Sequence, residues 1–417
     1  MKRNRLFNIE YCISQSFFWM AFCSVVGYAA LFLQRRGYSG AETGIVMASG
    51  SILAFILQPM IASLADRSKK VTLMGIISAI CALMICTMAV NLLVPGRSIA
   101  VFVCYTLYFS SVYLMLPFAN AFAGFLNSWG LKINFGIARG VGSLSYAILS
   151  LILGVLIDKL SPNVLPAVGI IFTLLLLVMM IIFSRQYSGE AVAAVSQQKN
   201  DSLSLVAFLK TDPRFALLLL GIMLTYFSHT SFTNFQINVV ENVGGGSAEM
   251  GVCSFIAAVV ELPPMFLFMR LLRKVRCSTL LKISCAMFSV KMLACYLAPN
   301  VPMMYAAQFI QMIGFGLYIP ASVQYVNEVV APADRIKGQA LITTTTTLSA
   351  IASSFLSGVM LDNFGISTTM LVSAIVSAVG ALVVIPAARK TPLHKSLPPA
   401  VPVVCTGPLR DFYQPSL

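Results

Sequence analysis

Three ionisable side chains, Glu261, Lys291 and His229, stand inside long apolar stretches of the sequence. A charge inside a bilayer is costly, so an ionisable residue there is a candidate functional group by default. A carboxyl group near a cationic side chain can bind and release a proton, and we expect Glu261 to titrate with Lys291 or His229 tuning it. Since a lone buried charge is too costly, we also expect Glu261 and Lys291 to pair. The alternatives are a static ion pair for these two residues and a satisfied polar contact for His229.

Arg139 and Tyr146 form a second candidate group. Arg139 presents a planar fork of donors that suits paired hydroxyls or a carboxylate. Tyr146 follows two helical turns later, on nearly the same helix face. A hydrogen-bonding fork beside an aromatic ring suits a sugar, which has apolar CH faces and polar edges. The alternatives are a membrane-end anchor for Arg139 and an ordinary packing role for Tyr146.

Twelve apolar stretches must position these residues, and each is long enough to cross a bilayer. A spanning helix needs about 20 apolar residues, and backbone in lipid must satisfy its own hydrogen bonds, so these stretches must be helical. Hydrophobic residues make up 58% of the 417 residues and charged residues only 10%, and the mean hydropathy is +0.87. The composition therefore predicts an all-α membrane protein. The predicted spans are 13–33, 43–63, 71–93, 99–125, 136–157, 164–184, 215–238, 250–272, 279–298, 303–328, 339–361 and 367–388.

A polar segment between spans six and seven divides the chain into two halves of six spans. We predict an N-terminal six-helix bundle (1–184), a central cytoplasmic loop (185–214) and a C-terminal six-helix bundle (215–390). The proline-rich segment 391–417 is expected to be a disordered cytoplasmic tail.

The two halves echo one another in sequence. Residues 144–158 and 348–362 both end in Gly-Val-x-x-Asp, at an offset of 204 positions. Glu42-Thr43-Gly44 opens span two and Glu249-Met250-Gly251 opens span eight, at an offset of 207. Six-span halves related by repetition are typical of alternating-access carriers, whose substrate lies between the halves.

The excess of basic over acidic residues reflects the membrane topology of the chain. The sequence contains 28 Lys and Arg residues and has a net charge of +14. If the N-terminus is cytoplasmic and the spans alternate, 23 of these residues fall on the cytoplasmic side, four outside and one within a span. This positive-inside bias predicts a multi-pass protein of the cell membrane with both termini in the cytoplasm. It also argues against nucleic acid as a partner.

Signatures of enzymes and metal sites are missing from the sequence. It contains no P-loop, His-Glu-x-x-His, nucleophile elbow or Cys-x-x-Cys. The ten cysteines are scattered without the spacing of a metal knuckle, and there are only two histidines. We therefore expect no catalytic residue, no metal and no cofactor.

The segment after span two has the pattern of a gating loop. Residues 58–70 read QPMIASLADRSKK, which resembles the signature loop of the major facilitator superfamily, with Ala62 and Lys69 in place of its two glycines. A carboxylate and basic residues at a helix end can pair with the neighbouring half in one state and release it in another. The alternative is a solvated charged loop that follows the positive-inside rule. The predicted gating residues are Asp66, Arg67, Lys69 and Lys70.

Neighbouring patches resemble the oligosaccharide:proton symporter branch of this superfamily, which includes the lactose permease. The patches are Thr43-Gly44-Ile45, Gln58-Pro59 and residues 135–139, which read FGIAR. The resemblance implies the major facilitator fold, with twelve transmembrane helices in two pseudo-symmetric six-helix bundles. It also implies that Arg139 binds sugar and that Tyr146 replaces a tryptophan that stacks on the sugar ring.

Further positions acquire candidate roles from the same resemblance. Asn120 stands where that branch has an acidic sugar ligand, and an amide can still hydrogen-bond but cannot form an ion pair. Glu261 matches an acidic substrate-binding and coupling residue, and Lys291 matches an arginine. Gln308 and Gln311 replace two members of the charged coupling set, which keeps polar groups on one helix face but removes their proton carriers. The predicted substrate-binding residues are Asn120, Arg139, Tyr146, Glu261, Gln308 and Gln311.

These features predict proton-coupled uptake of a sugar or small oligosaccharide by alternating access, by a protein that works as a monomer in the lipid bilayer. An efflux carrier for drugs or other small compounds is the first alternative, because the family's charged coupling set is thinned here. A membrane-embedded enzyme or receptor is the second alternative, although the sequence has no catalytic cluster.

Overall fold

The structure, a computed structural model, describes residues 2–67, 72–128, 131–186, 209–210 and 212–394, and these ranges contain helices and no strand. Eleven of the described helical segments are long and apolar enough to cross a membrane, and the last, Lys337–Ala387, has 51 residues. At about 1.5 Å per residue that segment is twice as long as one crossing requires. Gly365, with a φ of 76° that other residues rarely adopt, divides it into two spans. The described helices thus supply twelve crossings, and the all-α fold is confirmed.

Two consecutive sets of helices build the two halves, and they are numbered here in chain order. The N-terminal half contains α1 (Lys2–Phe22), α2 (Ala29–Arg35), α3 (Gly40–Arg67), α4 (Leu73–Leu93), α5 (Ile99–Ser128), α6 (Phe135–Lys159) and α7 (Val164–Gln186). The C-terminal half contains α8 (Pro213–Asn234), α9 (Gln236–Asn242), α10 (Ser247–Val260), α11 (Leu262–Leu272), α12 (Cys277–Leu297), α13 (Val301–Gln308), α14 (Phe315–Val329) and α15 (Arg335–Ala387).

Irregular turns interrupt several spans that the hydropathy shows as continuous. A π-helical turn, Cys23–Gly27, precedes α2 in the first span, and Phe235 separates α8 from α9 in the seventh. The helices after these breaks begin at Ala29 and Gln236, 207 positions apart. The first span of each half therefore breaks at a matching place, in agreement with the repeat.

The break at Glu261 has a direct cause in the sequence. Pro263 and Pro264 lack the N–H that would bond to a carbonyl one turn earlier. Accordingly, α10 ends at Val260 and α11 begins at Leu262. The disturbance predicted from the paired prolines is confirmed.

Small and hydroxylated residues hold α15 against α8. Ser353 Oγ donates to the carbonyl of Phe227 at 2.8 Å, and Ser357 Oγ bonds to Ser231 Oγ at 2.8 Å. In lipid, small residues allow helices to approach closely, and hydrogen bonds between helices add attraction. Large aromatic side chains fill the core of the N-terminal half instead, among them Tyr105, Tyr108, Phe122 and Phe183.

Reciprocal contacts join the halves at one face, here called the sealed face. Asp362 accepts hydrogen bonds from the backbone N–H groups of Gly40 and Ala41, each at 2.7 Å. Asp158 accepts one from the N–H of Ala248 at 3.0 Å. Each carboxylate caps a helix of the other half, where N–H groups lack intrahelical partners and the helix dipole favours negative charge. These aspartates end the repeated Gly-Val-x-x-Asp pattern.

The glycines of the same pattern let the backbones of the two halves meet. A Cβ atom on Gly358 would lie 2.3 Å from the carbonyl oxygen of Gly40. A Cβ atom on Gly154 would lie 2.5 Å from the carbonyl oxygen of Ser247. Such separations leave room only for glycine, so the repeated motif specifies both the close approach and the carboxylate that follows it.

The hydrogen bonds that the structure describes between the halves all lie towards the sealed face. Gln34 and Asn238 exchange two side-chain bonds at 3.1 and 2.8 Å, and Arg35 pairs with Glu241 at 2.9 Å. Towards the opposite face, where α1 begins and α15 ends, the described residues form no hydrogen bond between the halves. Among the described residues, hydrogen bonds therefore join the halves at one face only.

Candidate functional site

Glu261 and Lys291 are connected through the side chain of Gln311. The Gln311 amide nitrogen donates to Glu261 Oε1 at 2.8 Å, and Lys291 Nζ donates to Gln311 Oε1 at 2.7 Å. The direct Glu261–Lys291 pair that we expected is therefore wrong, because a neutral amide stands between the two charges. Lys291 and Gln311 are only 7% and 3% exposed, so this bridge is shielded within the C-terminal half.

Two local features build this bridge. The proline break places Glu261 between α10 and α11, and Gly316 lets α14 approach it, since a Cβ there would lie 3.0 Å from the Glu261 Cα. A 3₁₀ turn, Phe309–Met312, carries Gln311. Because a 3₁₀ turn has three residues per turn, its side chains point in directions that a continuous α-helix would not give.

His229 lies beside the bridge in an aromatic setting. Its ring stacks on Phe315 with centroids 4.4 Å apart, and its Nδ1 atom is buried without a hydrogen-bond partner among the described residues. Lys291 Nζ lies 4.4 Å from the ring centroid of Phe232. His229 and Lys291 both line one small cavity of about 10 Å³, together with Ser228, Phe232, Phe288 and Met292. The structure thus brings Glu261, Lys291 and His229 into one region, as the sequence predicted.

Arg139 lies against a tryptophan of the first span. Its guanidinium carbon is 3.8 Å from the centroid of a Trp19 ring, and its Nη1 donates to Ser143 Oγ. Gly142 makes room for this ring, since a Cβ there would lie 2.5 Å from Trp19 Cδ1. The Trp19 indole N–H donates to Gln15 Oε1 at 3.2 Å. Sequence reasoning missed this aromatic partner and expected Tyr146 in its place.

Asn120 belongs to the same part of the N-terminal half. Gln15 Nε2 donates to the Tyr11 hydroxyl at 2.8 Å and to the carbonyl of Ala119, directly before Asn120, at 3.1 Å. Asn120 Oδ1 is buried without a partner among the described residues. Tyr146 reaches towards the π-helical turn, with its hydroxyl 2.8 Å from where a Cβ of Gly27 would stand. Tyr11, Gln15 and Trp19 are spaced four residues apart, which puts these polar or aromatic side chains on one helix face. This spacing is the sequence signal that could have revealed the cluster.

The remaining predicted residues do not join these two groups. Gln308 is fully buried, and its amide nitrogen contacts the Met304 carbonyl at 3.2 Å and Cys295 Sγ at 3.7 Å, within the C-terminal half. Of the predicted gating residues, Lys69 and Lys70 lie outside the described residues, and only the helical backbone is described for Asp66 and Arg67. Most of the central loop (187–208 and 211) and most of the tail (395–417) also lie outside the described residues.

Arg139 belongs to α6 of the N-terminal half, and Glu261 belongs to the helix break of the C-terminal half. Among the described residues, ion pairs within 4.0 Å form elsewhere, and none includes Arg139. The described His, Cys, Asp and Glu residues form no group that could hold a metal ion. The arrangement can bind hydroxyl or anionic groups on one side and hold a proton on the other.

The family of the chain follows from a match over most of its length. Residues 9–372 match the model of the MFS_1 like family. The chain belongs to this family. MFS stands for the major facilitator superfamily, so the protein is a multi-pass membrane transporter and not an enzyme, as predicted.

Individual relatives of this MFS_1-like transporter agree with that assignment. YwbF of Bacillus subtilis (strain 168), described as an uncharacterized transporter, is 22% identical over 339 residues, which cover 77% of this chain and 78% of that protein. A mutant of the nucleoside transporter NupG has a similar structure, with a TM-score of 0.78, 15% identity, and coverage of 92% of this chain and 100% of that chain. A bacterial homologue of the human lysosomal transporter Spinster gives a TM-score of 0.68 at 13% identity, over 92% of this chain and 97% of that chain.

The family match and the structural similarity establish the fold, but sequence identities this low do not show which substrate the protein carries. The expected major facilitator fold is confirmed. The narrower resemblance to the oligosaccharide:proton symporter branch, and with it the sugar, stays a prediction.

Proposed function

We propose that this MFS_1-like transporter takes up a sugar or small oligosaccharide together with protons by alternating access. The setting of Glu261 is the observation that best supports it: a carboxylate at a helix break, bonded to Gln311, which in turn bonds to Lys291. Interrupted helices near mid-membrane are where carriers of this kind place substrate and coupling sites. A carboxyl group held there by a neutral amide can gain or lose a proton without losing its neighbour.

The two halves would divide the work. In the N-terminal half, Arg139 supplies a fork of donors for the solute, Asn120 supplies an acceptor, and Tyr146 lies on the same helix as the arginine. In the C-terminal half, Glu261 would carry the proton and touch the solute through Gln311.

Lys291 and His229, which line the same small cavity, would tune Glu261. Lys291 favours the charged carboxylate through the bridging amide. His229 offers a ring nitrogen that has no hydrogen-bond partner among the described residues.

Alternating access is supported by the one-sided fastening of the halves. We propose that both termini lie in the cytoplasm, in which case the sealed face would be the outer one and the carrier would face inward. The gating residues proposed at the far end of α3, Asp66, Arg67, Lys69 and Lys70, would close the inner face in the other state. A single chain holds both halves, and we propose that it works as a monomer in the cell membrane.

One proton is enough to drive such uptake. A proton that enters with a neutral solute contributes about 2.3 kcal/mol per 100 mV of membrane potential. Each unit of pH difference adds about 1.4 kcal/mol. Together these terms permit more than about hundredfold accumulation.

Transport in proteoliposomes tests the coupling. Glu261→Gln should still exchange solute downhill but should lose uphill accumulation driven by a proton gradient. The matched control is Glu42→Gln, which removes a carboxylate whose bonds, to Ser39 and Arg97, lie within the N-terminal half. Unchanged uphill accumulation in Glu261→Gln would exclude the proton role.

A thermal-shift panel of sugars, nucleosides and lipophilic drugs on the purified protein tests the substrate class, because a ligand that binds only the folded state stabilises it. Nucleosides belong in this panel because the nucleoside transporter NupG has a similar fold and because a ribose presents hydroxyls like those of a sugar. Stabilisation by lipophilic drugs alone would favour the efflux alternative.

A further inference from the structure

The polar groups at the centre of the two halves are unequal in charge. Arg139 and Lys291 carry cationic side chains, whereas the bridge in the C-terminal half contributes one carboxylate, that of Glu261. Lys291 is joined to Glu261 through Gln311. Arg139 has a hydroxyl and an aromatic ring as its described contacts, and no carboxylate oxygen within 4.0 Å among the described residues. One positive charge, about one turn into a membrane-spanning helix, is therefore left without a carboxylate partner among the described residues, and such a charge is costly in a membrane protein.

The surroundings of Arg139 supply acceptors but no compensating charge. Trp19 covers the guanidinium and is held by the neutral amide of Gln15. Gln15 also bonds to the carbonyl of Ala119, and the next residue of that helix, Asn120, carries a second neutral amide. Asn120 Oδ1 is buried and has no donor among the described residues. The site thus lacks one negative charge for Arg139 and one hydrogen-bond donor for Asn120.

We infer that the solute supplies both: the transported sugar carries a carboxylate that pairs with Arg139 and hydroxyls that donate to Asn120. This inference rests on the proposed function and narrows its substrate to the class of sugar acids. A guanidinium binds a carboxylate through two parallel hydrogen bonds, and Ser143 occupies only one of its five donors. While Glu261 is ionised, the two cations exceed the single carboxylate by one charge, so the site in that state matches a monoanion better than the dianion of a sugar phosphate.

An electrical consequence follows from this charge balance. A monoanion that enters with one proton carries no net charge across the membrane, so the membrane potential would neither drive nor oppose its uptake. Only the pH difference would drive it. A neutral sugar that enters with one proton would instead carry one positive charge and produce a current.

Matched ligand pairs test the inference on the purified full-length protein. The probes are uronic acids, each with its neutral parent sugar, for example galacturonate with galactose and glucuronate with glucose. Butyrate, a carboxylate without hydroxyls, and a sugar phosphate complete the panel. We expect at least one uronate to bind about 10- to 100-fold more tightly than its parent, the range for a hydrogen bond to a charged group. Its uptake into proteoliposomes should follow an imposed pH gradient and give no current on a supported membrane.

Two substitutions move the preference in opposite directions. Arg139→Gln should remove the advantage of the uronate over its parent. Asn120→Asp would place the missing negative charge in the protein, so it should weaken uronate binding at least about tenfold and leave the neutral parent favoured. Arg270→Gln, which removes an exposed arginine of α11, is the matched control and should keep the wild-type preference. If Arg139→Gln does not fold, Arg139→Lys keeps the charge without the fork and should reduce the preference.

The outcomes separate this inference from the function on which it rests. If neutral parent sugars bind as well as uronates, the sugar acid is overturned while sugar transport stands. If butyrate binds as tightly as the uronates, the anion site is supported while the sugar assignment fails. Preference for the sugar phosphate, or an unchanged preference in Asn120→Asp, would overturn the monoanion. If no member of the panel binds, both proposals fall.

Discussion

The two carboxylates of the sealed face should set how often that face opens. Replacing Asp362 by Asn keeps an acceptor oxygen but removes the negative charge from two backbone hydrogen bonds of 2.7 Å, whereas Asp158→Asn affects one bond of 3.0 Å. A charge at a helix N-terminus contributes about 0.3–1 kcal/mol at exposed positions. Both side chains are exposed, so solvent screens them. We expect losses of about 1 kcal/mol for Asp362→Asn, about 0.5 kcal/mol for Asp158→Asn and about 1.5 kcal/mol for the double variant, which is roughly tenfold in the equilibrium between sealed and open forms.

Distances between spin labels measure that equilibrium directly. Leu160 in the N-terminal half and Phe364 in the C-terminal half are 70% and 66% exposed at the sealed face and can carry labels on introduced cysteines. The more accessible of the described cysteines, Cys12, Cys86 and Cys104, would be replaced by serine, as would Cys405 of the tail. The population at the longer distance should rise least in Asp158→Asn, more in Asp362→Asn and most in the double variant, and the differences should shrink at high salt because salt screens exposed charges.

The control for this measurement is again Glu42→Gln, which removes one negative charge from the same face. Its described contacts, with Ser39 and Arg97, lie within one half, so the distance between the halves should not change. Equal distance distributions in the aspartate variants and in this control would refute the idea that the carboxylates fasten the halves together. An effect of Asp158→Asn larger than that of Asp362→Asn would refute the magnitudes derived from the bond geometry.

Two further predictions concern the bridge and the close approach of the halves. Gln311→Leu leaves Glu261 and Lys291 without the amide that joins them. Because it breaks a buried charged network, this change should lower the free energy of unfolding by about 3–5 kcal/mol. Thermal unfolding in detergent measures the effect, and a stability equal to that of the wild type would contradict the prediction. Gly358→Ala adds a methyl group 2.3 Å from the carbonyl oxygen of Gly40. This clash should shift the distances between the spin labels towards the open form, with little change in stability. An unchanged distance distribution would show that the helices move apart locally without opening the sealed face.

The membrane architecture could be predicted because it depends on local composition. Apolar length and the repeat of Gly-Val-x-x-Asp indicated twelve spans in two related halves, and Pro263 and Pro264 indicated the break at Glu261. The breaks at Cys23–Gly27 and at Phe235 carry no proline and escaped prediction. After the first of these breaks, the Tyr28 hydroxyl donates to the carbonyl of Ser150 at 2.6 Å, a contact between distant parts of the chain that no local pattern contains.

The types of the site residues could be predicted, but their partners could not. A carboxylate and a lysine in apolar spans must be compensated, which indicated Glu261 and Lys291 correctly as neighbours. That Gln311 intervenes depends on the 3₁₀ turn that carries it, and nothing in its sequence distinguishes that turn from a continuous helix. Trp19 was available as a signal, since it is one of only two tryptophans in the chain, but its contact with Arg139 arises from the packing of two separate helices.

The sealed face also limits how strong its own contacts can be. Because each half caps a helix of the other, the hydrogen bonds of both carboxylates must break before the sealed face can open. The free energies that the two carboxylates contribute therefore add in the sealed state. A carrier whose two states differ by more than a few kcal/mol would spend almost all of its time in one of them and turn over slowly. Two exposed carboxylates worth about 1.5 kcal/mol together bias the equilibrium without locking it. Burial of the same aspartates would strengthen the seal, and their exposure is therefore what an alternating carrier needs at this position.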